Sequence, residues 1–190
     1  MADLERRAVA FLDILGFREL VTRIDKDADL FKRLRNTLKV TYSEKRRWAK
    51  RRESAANNAD PAVMFIPARD VQFTAFSDCI VSSTPRKHAL ALALVTQDLA
   101  SRLLAQGFLT RGAIVEGRAY HDGQILIGPA IVEAYELESN VAKYARIILT
   151  DTLGDRIRRD HWKYYGYVVS LDPSDGCNFI DVFARWACRF

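Results

Sequence analysis

This chain predicts an α+β fold: a mixed, largely antiparallel sheet with helices packed mainly on one face. Strand-like apolar runs and helix-period segments alternate along its 190 residues. Three pairs of strands read as hairpins closed by short polar turns. With 49% hydrophobic residues the chain can bury a sizeable core. No Gly/Ser-rich linker interrupts it, so residues 1–190 read as a single domain.

Residues 8–13 form the first strand, an apolar run that delivers Asp13 at its end. Helical sequence follows over 18–24 and 28–54, where Leu30, Phe31, Leu34 and Leu38 keep helical spacing. The polar stretch 54–61 is a loop. Strands over 70–76 and 79–83 flank a turn at Ser77 and Asp78. Leu90, Leu94, Val95, Leu99 and Leu103 give an amphipathic helix over 86–106, stopped by Gly107. Strands over 109–118 and 124–127 meet at the turn 120–123, and Pro129 suits the first turn of a helix over 129–139. A strand over 146–150 and a helix over 152–161 come next. Strands over 165–171 and 177–183 close the chain around the turn 172–176.

Two of these strands end on a carboxylate, Asp13 and Asp78. An unpaired charge at the edge of an apolar strand is expensive, and a pair of carboxylates suits a hard divalent cation. Two metals at one phosphate can activate both the attacking and the leaving oxygen. The pattern therefore points to phosphoryl or nucleotidyl transfer. The amides of Leu15, Gly16 and Phe17 precede a helix, where N–H groups favour phosphate; Gly16 would let it approach the backbone. The competing reading makes Asp13 a helix cap and Gly16 a simple turn residue.

The motifs themselves resemble those of class III nucleotidyl cyclases. Phe11-Leu-Asp-Ile-Leu-Gly-Phe17 is similar to the first metal motif of that family, and Phe76-Ser-Asp-Cys-Ile80 to the second. Leu109-Thr-Arg-Gly-Ala-Ile-Val-Glu-Gly117 resembles the arginine-bearing strand, and the segment from Gly128 to Glu138 the glycine-then-helix element. The order agrees over residues 8 to 138, and the short form looks most like the bacterial anti-phage pyrimidine cyclases of Pycsar type. The resemblance implies two Mn2+ or Mg2+ ions per site, held by Asp13, Asp78 and the carbonyl of Ile14. It places Arg111 on the triphosphate, a task that suits a guanidinium fork. It also implies a homodimer, because one subunit holds half a site, and a downstream effector activated by the cyclic product.

Departures from the adenylyl cyclase pattern bear on the base. The adenine-reading lysine aligns with Thr74 and its acidic partner with Ile125. The asparagine and arginine that steady the transition state align with Val132 and Glu136, and Arg146 and Arg118 are candidates to replace them. Thr74 and Gln72 could reach the edge of a smaller base, each as donor or acceptor. The resemblance favours UTP and cyclic UMP. A cytidylate cyclase making cyclic CMP and an inactive nucleotide-binding domain are the alternatives.

Charge and cysteines exclude other classes. The net charge is +5, from 29 basic and 24 acidic residues. Much of the excess is a basic helical extension at 44–53, around Trp48, which reads as a solvated helix face. No nucleic-acid partner is expected, since the exposed sheet aromatics of RNA readers have no counterpart. Cys79, Cys177 and Cys188 are odd in number and widely spaced, which suits free thiols in a reducing cytoplasm. His88, His121 and His161 lack metal-ligand spacing. No signal peptide or membrane span is expected.

Overall fold

The computed structural model describes residues 4–39 and 70–184. The basic segment 44–53, the loop 54–61, Cys188 and the far part of the helix expected over 28–54 lie outside the described residues.

Strand β1 (Glu5–Ile14) is the axis of the sheet. It lies antiparallel between β3 (Cys79–Pro85) and β4 (Thr110–His121), and β2 (Gln72–Phe76) closes that edge against β3. Beyond β4 come β6 (Ile147–Leu149), β8 (Asn178–Ile180) and β7 (Val169–Leu171), in that order. The short β5 (Leu126–Ile127) pairs with the end of β4. Every pairing between these strands is antiparallel except β4 with β6. A parallel neighbour needs a long crossover, and helix α4 (Pro129–Val141) supplies it.

The helices divide unequally between the two faces. Ala8, Ala10, Leu12 and Ile14 of β1 point to one side, where helix α3 (Ala89–Ala105) packs with Leu90, Leu92, Leu99 and Leu103. Leu30 and Leu34 of α2 (28–39) and Leu153 and Ile157 of α5 (Asp151–Asp160) join that core. Helix α1 (Phe17–Arg23) lays Phe17 and Leu20 against its edge. Val9 and Phe11 point to the other side, where, among the described residues, α4 is the helix that covers the sheet, through Ala130 and Ala134. Phe11 meets the Tyr135 ring edge-on at 5.7 Å between centroids. With both faces covered, β1 has to be apolar without alternation, which is why Ala8 to Leu12 is an unbroken run.

The mixed sheet and the one-sided majority of helices agree with the sequence. Several boundaries move: β1 begins at Glu5 instead of residue 8, and β8 ends at Ile180 instead of residue 183. β4 runs on to His121, three residues past its expected end, because its last residues gain β5 as a partner. β7 is shorter than expected, because a turn over 166–168, with Gly166 at φ +88°, takes the start of that segment. No helix among the described residues is long and apolar enough to cross a membrane.

Gly117 sets how closely α4 can approach. A Cβ built there would lie 2.9 Å from the Cβ of Ala130. Gly117→Ala is therefore expected to push α4 from the sheet and lower stability by about 1–3 kcal/mol. The reading is a lower urea midpoint at unchanged slope.

Candidate active site

The open end of the α4 face carries the acidic cluster. Asp13, near the end of β1, faces Cys79 of β3 on one side and Arg111 of β4 on the other, all in register. Asp78 occupies the two-residue loop between β2 and β3. Its neighbour Ser77 has φ +56°, a left-handed conformation that costs a non-glycine residue roughly 1–2 kcal/mol. The Ile14 N–H donates to the Asp78 carbonyl at 3.1 Å, tying that loop to β1.

Donor atoms of Asp13, Asp78 and Cys79 all lie within 4.8 Å of one another. Burial raises the Asp13 carboxyl above its ordinary pKa, and the negative charges of Asp78 and Glu138 raise it further, against the pull of Arg111. Burial, then Asp78 and Asp13, push the Cys79 thiol up to about 12. It stays protonated at neutral pH and donates to Asp78 Oδ1 at 3.7 Å. The ligand atoms left are therefore carboxylate oxygens, the donor set of Mg2+ or Mn2+. Crowded carboxylates in a part-buried corner fit a divalent cation.

Arg111 is held from the far side. Its Nε donates to Oε1 of Glu138, while Glu138 Oε2 accepts from Ser139 Oγ at 2.9 Å. Glu138 is 2% exposed. Sequence reasoning missed it, although a signal exists. Ala130, Ala134 and Glu138 recur every four residues, and a carboxylate ending a buried stripe demands a partner.

The turn at Leu15, Gly16 and Phe17, expected from the sequence to meet phosphate, is only partly open. The Leu15 N–H donates to the Leu109 carbonyl at 2.9 Å, so that amide is engaged within the protein. Gly16 has φ +72° and caps α1, and Phe17 opens the helix.

Thr74 sits in β2 with its hydroxyl committed to a buried relay. It donates to the Gly123 carbonyl at 3.2 Å and lies 2.9 Å from His121 Nε2. His121 Nδ1 lies 2.8 Å from Ser83 Oγ, which accepts from Arg7 Nε at 2.9 Å. With its own proton given to Gly123, the Thr74 hydroxyl is left to accept from His121 Nε2. His121 is 6% exposed, a buried role the sequence did not single out. The bond to Gly123 ties Thr74 to the hairpin turn that also carries Ile125.

The remaining candidates lie apart. Arg146, just before β6, is bound by Asp172 and Asp175, and its pKa is raised mainly by the hydrogen bond to Asp175. Arg118 faces Arg6 near the opposite end of β1. It lies seven residues from Arg111, hence on the other sheet face and about 24 Å along the strand. Val132 and Glu136 are exposed on α4.

No protein-family model matches the chain, and no curated protein matches it. Solved structures do. The adenylyl cyclase CyaB from P. aeruginosa is 17% identical with a TM-score of 0.58, covering 83% of this chain and 82% of that one. The monomeric guanylyl cyclase domain of the RhoGC fusion protein from the aquatic fungus Blastocladiella emersonii is 16% identical with a TM-score of 0.61, covering 94% and 95%. The catalytic core of a rhodopsin-guanylyl cyclase with converted specificity, in complex with ATPalphaS, is 17% identical at 0.56, covering 93% and 96%. The fold is that of class III cyclase domains.

Because the folded state raises the Asp13 pKa, ionising Asp13 costs stability at neutral pH, and that cost fades as pH falls through the raised value. Asp13→Asn is expected to unfold at a higher urea midpoint than wild type at pH 7 in EDTA. The gain should shrink as the buffer is acidified.

Proposed function

We propose that the protein is a nucleotidyl cyclase that converts a pyrimidine nucleoside triphosphate, UTP foremost, to the 3′,5′-cyclic monophosphate and pyrophosphate. The observation that carries this is the close pair Asp13 and Asp78 beside Arg111, on a fold shared with adenylyl and guanylyl cyclases.

In the reaction the ribose 3′-oxygen bonds to the α-phosphorus, the bond to the bridging oxygen breaks, and the hydroxyl proton is released. Asp13 and Asp78, with the Ile14 carbonyl, would hold two Mg2+ or Mn2+ ions. Bound there, such ions acidify the attacking hydroxyl and neutralise charge on the leaving group. Arg111 would take the triphosphate oxygens through its guanidinium fork. The Gly16 and Phe17 amides would meet phosphate at the turn into α1.

The base face supports a pyrimidine. Ile125 and Thr74 offer no charged pair for a purine, and a site that cannot make a purine's hydrogen bonds binds it weakly. With its proton given to Gly123, Thr74 would accept from a donor on the base. Gln72, with both a donor and an acceptor, would complete the edge. The resemblance favours UTP over CTP. It also makes the product a cytoplasmic anti-phage messenger for a cyclic-nucleotide-activated effector.

A second reading, nucleotide binding without turnover, rests on Val132 and Glu136 in place of the transition-state pair, and on Arg146 being bound by two carboxylates. Incubation with each of the four NTPs and Mn2+ separates the two. Cyclic UMP is the expected main product. Asp13→Asn and Asp78→Asn should each cut the rate on the order of 100-fold or more with the fold retained. Dominant cyclic AMP or cyclic GMP would overturn the pyrimidine assignment, and nucleotide binding without product would favour the second reading.

Exposed apolar side chains support a homodimer: Phe76 is 81% exposed, and Val132 and Tyr135 each 55%. A twofold homodimer would cover them and complete two sites with the partner's base face. Mixing Asp13→Asn with Thr74→Tyr should restore part of the activity that each variant lacks. Failure to restore any, or a strictly monomeric active protein, would refute the shared site.

A further inference from the structure

Arg111 has an obvious wrong place to be. It stands directly across from Asp13 on the neighbouring strand, a Cβ separation of about 4.5–5.5 Å for such pairs. Asp78 lies just beyond. A guanidinium free to choose would form charge-assisted bonds with those carboxylates and compete with any cation for them. The structure shows another arrangement. Glu138 takes the Nε edge from the α4 side, and Ser139 fixes the second oxygen of that carboxylate. Nη1 and Nη2 make no hydrogen bond or ion pair among the described residues.

We propose that Glu138 is a positioning residue, which draws Arg111 off the cation-binding carboxylates and presents its Nη edge to the triphosphate. The proposal rests on the reading of Asp13 and Asp78 as cation ligands. It explains why α4 buries a carboxylate where an alanine would continue the stripe of Ala130 and Ala134. A bond serving only to tie α4 to β4 would be made as well by any buried pair. This one lies beside the carboxylates and engages the arginine that stands across from Asp13.

A mutant cycle on the full chain tests it, with Mn2+ binding measured calorimetrically in the absence of nucleotide. Glu138→Gln should weaken Mn2+ binding about tenfold when Arg111 is present. In an Arg111→Ala background the same change should cost only about twofold, the loss of one nearby charge. Equal factors in the two backgrounds would overturn the proposal, leaving Glu138 as a source of field alone. Glu138→Asp keeps the charge and shortens the reach, so it should resemble Glu138→Gln. If it binds Mn2+ as wild type does, the proposal fails. This comparison also stands by itself if Arg111→Ala, which strands a buried carboxylate, does not fold. Wild-type protein that binds no Mn2+ at all would be a different failure, removing Asp13 and Asp78 as ligands and the proposal with them. With nucleotide present, Glu138→Gln should raise KM for the triphosphate more than it lowers kcat.

Discussion

The register of β1 is the constraint on which the remainder depends. A strand buried on both faces cannot slip by one residue without turning over its whole apolar set. Ala8, Ala10, Leu12 and Ile14 are locked into the α3 core, and Val9 and Phe11 into the α4 core. With those positions fixed, Asp13 has one possible place, and the pairings with β3 and β4 bring Cys79 and Arg111 to either side of it. The site is thus the continuation of the core by one residue. Its geometry draws on packing energy generated well away from any ligand.

The corner itself works against folding. Asp13 is held in its less comfortable charge state, Ser77 adopts a conformation better suited to glycine, and Glu138 is a buried carboxylate. Local strain of this kind persists only where the surroundings over-determine it. Here α4 on one side and the three-strand ladder β3, β1, β4 on the other do so. A corner assembled against its own electrostatics would be stabilised by any cation that bound between the two carboxylates.

Much of this was legible in the sequence, and the limit has a physical form. Asp13, Asp78 and Arg111 announce themselves because each is a polar residue at the edge of an apolar strand, a pattern contained in a few adjacent positions. The hairpins around 77–78 and 120–123 are local in the same way. Glu138 and His121 are not. Glu138 meets Arg111 across 27 residues of chain, and His121 meets Thr74 across 47 and Ser83 across 38. Nothing near Thr74 reveals that its hydroxyl is already engaged, nor does the neighbourhood of Arg146 disclose Asp172 and Asp175 as its partners. The strand order and the place of α4 on its face likewise depend on pairings between distant segments.

The central strand has a consequence for how the chain is made. β1 precedes both of its neighbours, and the second of them ends at His121. At a synthesis rate of about 5–20 residues per second, the roughly one hundred intervening residues take on the order of 5–20 s to emerge. Neither edge of Ala8 to Leu12, the most apolar stretch of the sheet, can pair until β3 has emerged, and the edge that meets β4 stays open throughout that time. Such a segment is what nascent-chain chaperones bind and what unpaired strands of other chains recruit. Yield during expression should therefore be limited less by the stability of the finished domain than by how long this strand waits for β4.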